Sequence, residues 1–278
     1  MAPARETDEM THAAALPQAD ASSLVDSEKL ESEVKEMYRH VAREEDAGLH
    51  FEVGRDVAAR LGYPMELLDA IPKEALASFA GVGYHLDLAA LEPGESVLDL
   101  GSGSGTDVFC AAVTVGPGGR AVGVDFTDEQ LDKARRLAAR DGFAQAEFIE
   151  ASIDDLPFRD GTFDAVISNG VINLSPVKDR VFAEAARVLK AGGRFALSDI
   201  VSGKPLKERT RRNVDLWAAC IAGAIPRASY RRAMEDAGFR VLATRPNDYR
   251  FVSGRALQAC STYSVESVAI FAELDELA

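Results

Sequence analysis

The sequence predicts an α/β protein in which a mostly parallel sheet is covered by helices on both faces and preceded by an N-terminal helical cap. Two observations carry this. After "EPGE" at residues 92–95, the short β-branched or apolar runs "SVLDL", "RAVGVD", "AEFIEA", "FDAVISN" and "GRFALSDI" are interleaved with the helical patterns "DEQLDKARRLAARDG" and "KDRVFAEAARVLKAGG", which end at glycine. Strands that alternate with helices need crossover connections, and crossovers set the strands parallel with a helical layer on each side. Before residue 92 the apolar residues recur at helical spacing instead.

Taken in order, residues 1–25 mix Ala, Pro, Thr and acids without periodicity and read as a flexible tail. From Asp26 or Ser27 the stretch "SEKLESEVKEMYRHVAREED" offers a capping side chain and then Leu30, Val34, Met37, Tyr38 and Val41 on one face, which is an amphipathic helix. "DVAARLG" and "ELLDAIPKEALASF" read as short helices closed by Gly62 and split by Pro72, so residues 26–92 form a cap or lid and residues 93–278 the main domain. Beyond the fifth strand come helices near "LKERTRRNVDLWAACIAG" and "SYRRAMEDAG", then strand-like "VLATRPNDYRF" and "SVESVAIFAE".

Composition narrows the partners. The chain has 278 residues, 47% of them hydrophobic, and a formal net charge of -14, which repels phosphate backbones and anionic lipid. A small molecule is the expected partner, with neither nucleic acid nor membrane. The polar, acidic start and the lack of an apolar run of about 18 residues point to a cytoplasmic location. Cys110, Cys220 and Cys260 are too scattered for a disulfide framework, and they show no metal-ligand spacing with His12, His40, His50 or His85. No metal is expected.

The chemistry is concentrated in "VLDLGSGSGTD", residues 97–107, where the first strand turns into its helix. Ligands of open parallel sheets bind beyond the carboxyl ends of the strands, and Gly101, Gly103 and Gly105 with Ser102 leave bare backbone at that turn. Asp125 ends the next strand, where an acid accepts both hydroxyls of a ribose, and Phe126 after it is placed to cover a purine. "TDEQ", Thr127 to Gln130, reads as a capping box for the following helix. Ordinary loop and cap chemistry is the alternative reading of each signal taken alone. A dinucleotide fingerprint, G-x-G-x-x-G, would put glycine at position 106; Thr106 stands there, and the pattern is D-x-G-x-G-x-G from Asp99. Asp99 would repel a diphosphate but suits an ammonium or a sulfonium, and S-adenosylmethionine carries both.

With "VGVDFTDEQL", "ASIDDLPFRDGTFDAVISN" and "RVLKAGGRFALSDI" in the same order and spacing, the chain resembles the class I S-adenosylmethionine-dependent methyltransferases from roughly Tyr38 to Phe271. That resemblance implies a Rossmann-like sheet of seven strands and S-adenosylmethionine as cofactor. It implies that Asp99 and the glycine loop hold the methionine part, Asp125 the ribose, and Phe126 with Ser152 and Ile153 the adenine. Gln130 belongs to the same donor site, and Asn169 closes it at the fourth strand. "VISNGVINLSP", "DLWAACIAGAI" and "LLDAIPKEA" are most similar to the arsenite methyltransferase-like group. That group usually carries cysteine where Gly170 stands and further cysteines before the first strand, whereas Cys220 is the one counterpart here.

The same resemblance places acceptor-side elements in residues 203–262. It gives Tyr38 a lid role over the donor and puts Asn173, Trp217 and Cys220, with Gly170, at the acceptor pocket. Tyr38 also reads as a half-buried helix aromatic, and Trp217 and Cys220 as packing residues. His85, in "GVGYHLDLAAL", is the histidine placed for acid-base work, against the alternative of a structural core histidine. The expected function is methyl transfer from S-adenosylmethionine to a small organic molecule. The alternatives are a metalloid methyltransferase with an altered thiol set, an enzyme using another carbon of the sulfonium, and a non-catalytic binder of the same ligand. Oligomeric state is not specified.

Overall fold

The computed structural model describes residues 26–43, 51–213, 216–217 and 220–275. The tail expected at residues 1–25 lies outside the described residues. A cap-side set of helices comes first: α1 (Ser27–Arg43), α2 (Arg55–Leu61), α3 (Met65–Asp69), α4 (Lys73–Ala77) and α5 (Leu86–Ala89). Then come β1 (Ser96–Leu100), α6 (Thr106–Val115), β2 (Arg120–Asp125), α7 (Asp128–Asp141), β3 (Ala146–Glu150) and β4 (Phe163–Asn169). After α8 (Lys178–Val188) follow β5 (Leu189–Val201), α9 (Glu208–Arg211), α10 (Arg227–Asp236), β6 (Phe239–Pro246), α11 (Gly254–Tyr263) and β7 (Glu266–Leu274).

The strands form one seven-stranded sheet in the order β3-β2-β1-β4-β5-β7-β6. Only β7 runs against its neighbours, β5 and β6; the other pairings are parallel. This is the Rossmann-like arrangement. Strand order reverses between β1 and β4, so the loops after Leu100 and after Asn169 diverge and open a crevice above the sheet.

Alternation along the strands sends Val97 to one face and Leu98 to the other. Val97, Ala121 and Ile167 pack beneath α6, α7 and the short helices of residues 55–89, with Val57, Leu68, Leu76 and Phe109 in one cluster. Residues 55–89 thus share the core of the sheet rather than packing as a separate cap. Leu98, Val122 and Val166 pack beneath α8 and α10 through Val181, Phe182, Tyr230 and Met234. A third cluster joins Leu30 and Val34 of α1 to Leu174, Trp217, Cys220 and Ala256 at the mouth of the crevice.

Several expected boundaries moved. α8 stops at Val188 instead of running to its glycines, because Leu189 already pairs with Phe163 in the sheet. Within "LKERTRRNVDLWAACIAG" the one named helix among the described residues is α9, of 4 residues. α11 was not expected; Ser253 starts it by accepting a hydrogen bond from the amide of Ala256. Among the described residues no helix is long and apolar enough to cross a membrane.

Candidate donor and acceptor site

The crevice above β1 and β4 encloses a cavity of about 420 Å³, within the range of small-molecule sites. Its floor is the turn after β1. The amides of Gly101 and Ser102 both donate to the carbonyl of Val124, at 2.8 and 2.9 Å, which presses this turn against the end of β2. Gly103 has φ +52, and a Cβ there would meet nothing nearer than 3.9 Å, so its bare backbone faces the cavity. Gly105 differs. A Cβ on it would lie 2.7 Å from Phe148, and it does not line the cavity; it lets α6 pack on the sheet. The observed role of Gly105 is packing.

Asp125 is fixed by two amides, Gly103 N donating to Oδ2 at 2.9 Å and Thr127 N to Oδ1 at 2.8 Å. Asp99 is 3% exposed, and its Oδ1 has no partner within the described structure. Burial, with Asp107 and Asp125 beside it, pushes its carboxyl well above the usual carboxylate range. A cationic group entering the cavity would favour the ionised form and satisfy that oxygen. The Ser102 hydroxyl is likewise unpartnered. Phe126, Ser152 and Ile153 line the far end, where the Lys35 ammonium lies 5.1 Å from the centroid of the Phe126 ring.

The expected capping box does not form. The Thr127 side chain makes no cap bond, and Gln130 turns its amide away: Nε2 donates to the carbonyl of Tyr38 at 3.0 Å and Oε1 accepts from Ser104. Gln130 thereby ties α1 to the glycine loop. A second tie is the ion pair between Arg39 and Glu129 at 2.9 Å. The Tyr38 ring stacks on Phe51 and lines the cavity, and burial, helped by the nearby Cys220, Tyr249 and Asp125, holds its hydroxyl well above its ordinary pKa. At neutral pH it is a hydrogen-bond donor and not a base.

Asn169 lines the cavity but spends its side chain on structure. Its Oδ1 accepts from Val82 N at 2.8 Å, while Nδ2 reaches Gly83 O, the Tyr63 hydroxyl and Asp107 Oδ2, each at 3.0 Å. Tyr63 in turn donates to Asp107 Oδ1 at 2.5 Å. Asp107 and Tyr63 were missed. The available signal was Asp107 itself, an acid in "TDVFCAAV", a helix apolar on every side, where a buried carboxylate requires partners.

An apolar wall of the cavity is formed by Leu30 and Val34 of α1 and by Val171, Leu174 and Val177, with Val171 packed against Gly101 of the donor loop. The four residues expected at the acceptor pocket stand behind this wall and do not line the cavity. Gly170 faces Val82, 3.2 Å from where its Cβ would be. Asn173 is fully buried and donates to the carbonyl of Cys220 at 2.6 Å. Trp217 is buried, with Nε1 donating to Arg211 O at 2.6 Å. Cys220 sits at φ +57, and burial pushes its thiol up to about 12. His85 also lies outside the cavity, fully buried with neither ring nitrogen partnered, and burial lowers its pKa so that the ring is neutral. His85 is therefore placed as a buried core histidine, and the structure supplies no contact for the acid-base work expected of it.

Residues 91–238 match the family described as a methyltransferase domain. The chain is 40% identical to an arsenite methyltransferase of Halobacterium salinarum over 189 residues, 68% of this chain and 48% of that protein. It is 28% identical to a ubiquinone/menaquinone biosynthesis C-methyltransferase of Cronobacter sakazakii, over 74% of this chain and 78% of that one. Among solved structures, an arsenic(III) S-adenosylmethionine methyltransferase from Chlamydomonas reinhardtii superposes with a TM-score of 0.61 at 32% identity, covering 80% of this chain and 74% of that chain. The chain spans about half the length of the two bacterial and archaeal arsenite methyltransferases it matches, 48% and 51%.

Proposed function

The chain belongs to the S-adenosylmethionine-dependent methyltransferases, and from that premise we propose that it transfers the donor's methyl group to a small organic molecule. The observation that carries this reading is one continuous cavity that joins unpartnered acidic and hydroxyl groups to an apolar wall. Asp99 and Ser102 fit the charged amino-acid end of the donor, Asp125 the ribose, and Phe126 with Ile153 the purine. When bound, S-adenosylmethionine supplies a methyl group activated on a sulfonium.

The chain's own residues then align and dehydrate the reactants, which is most of what an in-line displacement asks of a protein. Tyr38, protonated, lines the same cavity. Carboxyl groups of Glu31, Asp99, Asp107, Asp125 and Asp154 line the cavity; among the described residues Arg180 is the lining cation, and the Lys35 ammonium stands over Phe126 at the far end. Neutral or cationic acceptors fit this field and anionic ones do not.

A second reading, methylation of trivalent arsenic, is favoured by the identity to arsenite methyltransferases. Soft metalloids prefer converging thiolates. Here Gly170 has no sulfur, Cys220 holds its proton at neutral pH, and Cys110 is buried in α6 beside Asp107. The test is S-adenosylhomocysteine formation across a panel of small nucleophiles, with arsenite plus glutathione as one arm. Turnover on an organic acceptor is expected. Methylarsenicals formed at many turnovers per minute and lost in Cys220→Ser would overturn the choice of acceptor, and donor binding without turnover on any member would mark a non-catalytic binder.

A further inference from the structure

Behind the acceptor wall lies a buried lysine that none of the donor chemistry uses. Lys178, at the start of α8, is 8% exposed, and its ammonium donates to the carbonyls of Asn173 at 3.0 Å and Ser175 at 2.7 Å. Those carbonyls belong to a single 3-10 turn, Ile172–Leu174, and the residue after it. The same turn presents Val171 and Leu174 to the cavity. The Lys178 ammonium also lies 5.4 Å from the centroid of the Trp217 ring, and Asn173, whose carbonyl it holds, donates to the carbonyl of Cys220. One cation therefore braces two segments of chain that are distant in sequence.

Its counter-charge is Asp199 on β5. That carboxylate is 1% exposed and accepts from the Tyr230 hydroxyl of α10 at 2.8 Å and from the amide of Ile200 at 2.7 Å. The groups facing Lys178 are thus Asp199 from the sheet, Arg211 from α9, Asp179 on its own helix and the Trp217 ring. A buried charge costs several kcal/mol unless paired and hydrogen-bonded. A methionine would fill the same apolar space without that cost, so the ammonium is there for what it holds.

We propose that Lys178 is the positioning residue of the acceptor wall, its ammonium clamping the 171–175 turn against Trp217 and, through Asn173, against Cys220, in the shape the acceptor meets. Lys178 does not line the cavity, so it acts through Val171 and Leu174. Burial lowers its pKa to about 8, against the pull of Asp199. The ammonium is therefore charged at pH 7 and gives up its extra proton as pH rises through about 8, the neutral amine keeping donors for the same two carbonyls, so the folded state is not weakened by that deprotonation.

The acceptor arm of the test rests on methyl transfer to a small organic molecule; the exchange arm does not. Hydrogen exchange over residues 170–177, in protein saturated with S-adenosylhomocysteine and corrected for intrinsic base catalysis, is compared at pH 7 and pH 9 in wild type, Lys178→Met and Lys178→Arg. Lys178→Arg, which keeps the charge and the donors, is expected to exchange as wild type does, and wild type to exchange no faster at pH 9 than at pH 7. Lys178→Met should exchange about tenfold faster or more at both pH values, as for loss of the two charge-assisted hydrogen bonds, with residues 120–130 unaltered. With an acceptor in hand, Lys178→Met raises KM about tenfold and leaves kcat and S-adenosylhomocysteine affinity within about twofold. Exchange over 170–177 that ignores the substitution would overturn the proposal. So would faster exchange across the whole chain, or donor affinity lost in step with acceptor KM, because Lys178 would then hold the fold and not the wall. If Lys178→Met does not fold, Lys178→Gln is compared with Lys178→Arg, and equal exchange over 170–177 in the two would overturn the proposal. Absence of turnover in wild type with every acceptor would count against the proposed function and leave the exchange result standing.

Discussion

The donor side of the cavity comes from two short stretches, residues 97–107 and 120–130, each running from a strand through a turn into a helix, whereas the acceptor side collects residues from segments scattered between Leu30 and Ala259. On the donor side, backbone amides and positive-φ glycines form the surface, and Asp125, which anchors it, is placed by amides two residues and one strand away. The acceptor side is set by side-chain packing and by the buried Lys178 and Asp199. A ligand common to a family can be met by a local motif. A ligand particular to one member has to be met by tertiary packing, which sequence spacing does not record.

The sharpest way to break the donor side is to fill its turn. Gly101 has φ +75, and a Cβ there would lie 2.2 Å from Val171. Gly101→Ala combines left-handed strain of about 1–3 kcal/mol with overpacking of a similar size. Urea unfolding is expected to show a loss of roughly 2–5 kcal/mol, and a loss below about 0.5 kcal/mol would mean the turn is not held as described.

Next in size is Tyr63→Phe. It deletes one charge-assisted bond to a buried carboxylate, worth about 1.5–3 kcal/mol, and the carboxylate keeps its second bond from Asn169. Thermal unfolding should fall accordingly, and donor affinity should weaken because Asp107 lines the cavity. Unchanged affinity would place Tyr63 with the fold alone.

The smallest effect is expected at the rim. Arg39→Ala removes an exposed ion pair to Glu129 and leaves the Gln130 bond to the Tyr38 carbonyl, so the unfolding midpoint should not move. Exchange over residues 27–43 should quicken, and S-adenosylhomocysteine should slow it in both proteins, since α1 supplies Leu30, Val34 and Tyr38 to the cavity. Identical exchange with and without ligand would remove α1 from the lid role.

This division explains what was legible. The alternation of strands and helices, the glycine turn and Asp125 are local patterns, and the structure carries all three. Spacing does not reveal which glycine faces a ligand and which, like Gly105, faces Phe148. Gln130 fitted a capping box by position, yet its partners are Tyr38 and Ser104, one of them 92 residues away. α11 escaped notice because its buried face is made of Ala256 and Ala259, too small to give a strong apolar period. His85, Trp217 and Cys220 were chosen as chemically capable side chains in the right region, but burial behind the wall is a property of the packed molecule. Lys178 was passed over because a lysine opening a helix is ordinarily solvated.

The account depends most on the donor half being a preformed site centred on Asp125. Titration calorimetry of S-adenosylhomocysteine into wild type and into folded Asp125→Ala tests this directly. One ligand is expected to bind per wild-type chain, and the substitution should weaken binding about tenfold or more, matching about 1.5–3 kcal/mol for a lost charge-assisted bond. Equal affinity in the two proteins, or no binding to wild type, would contradict it.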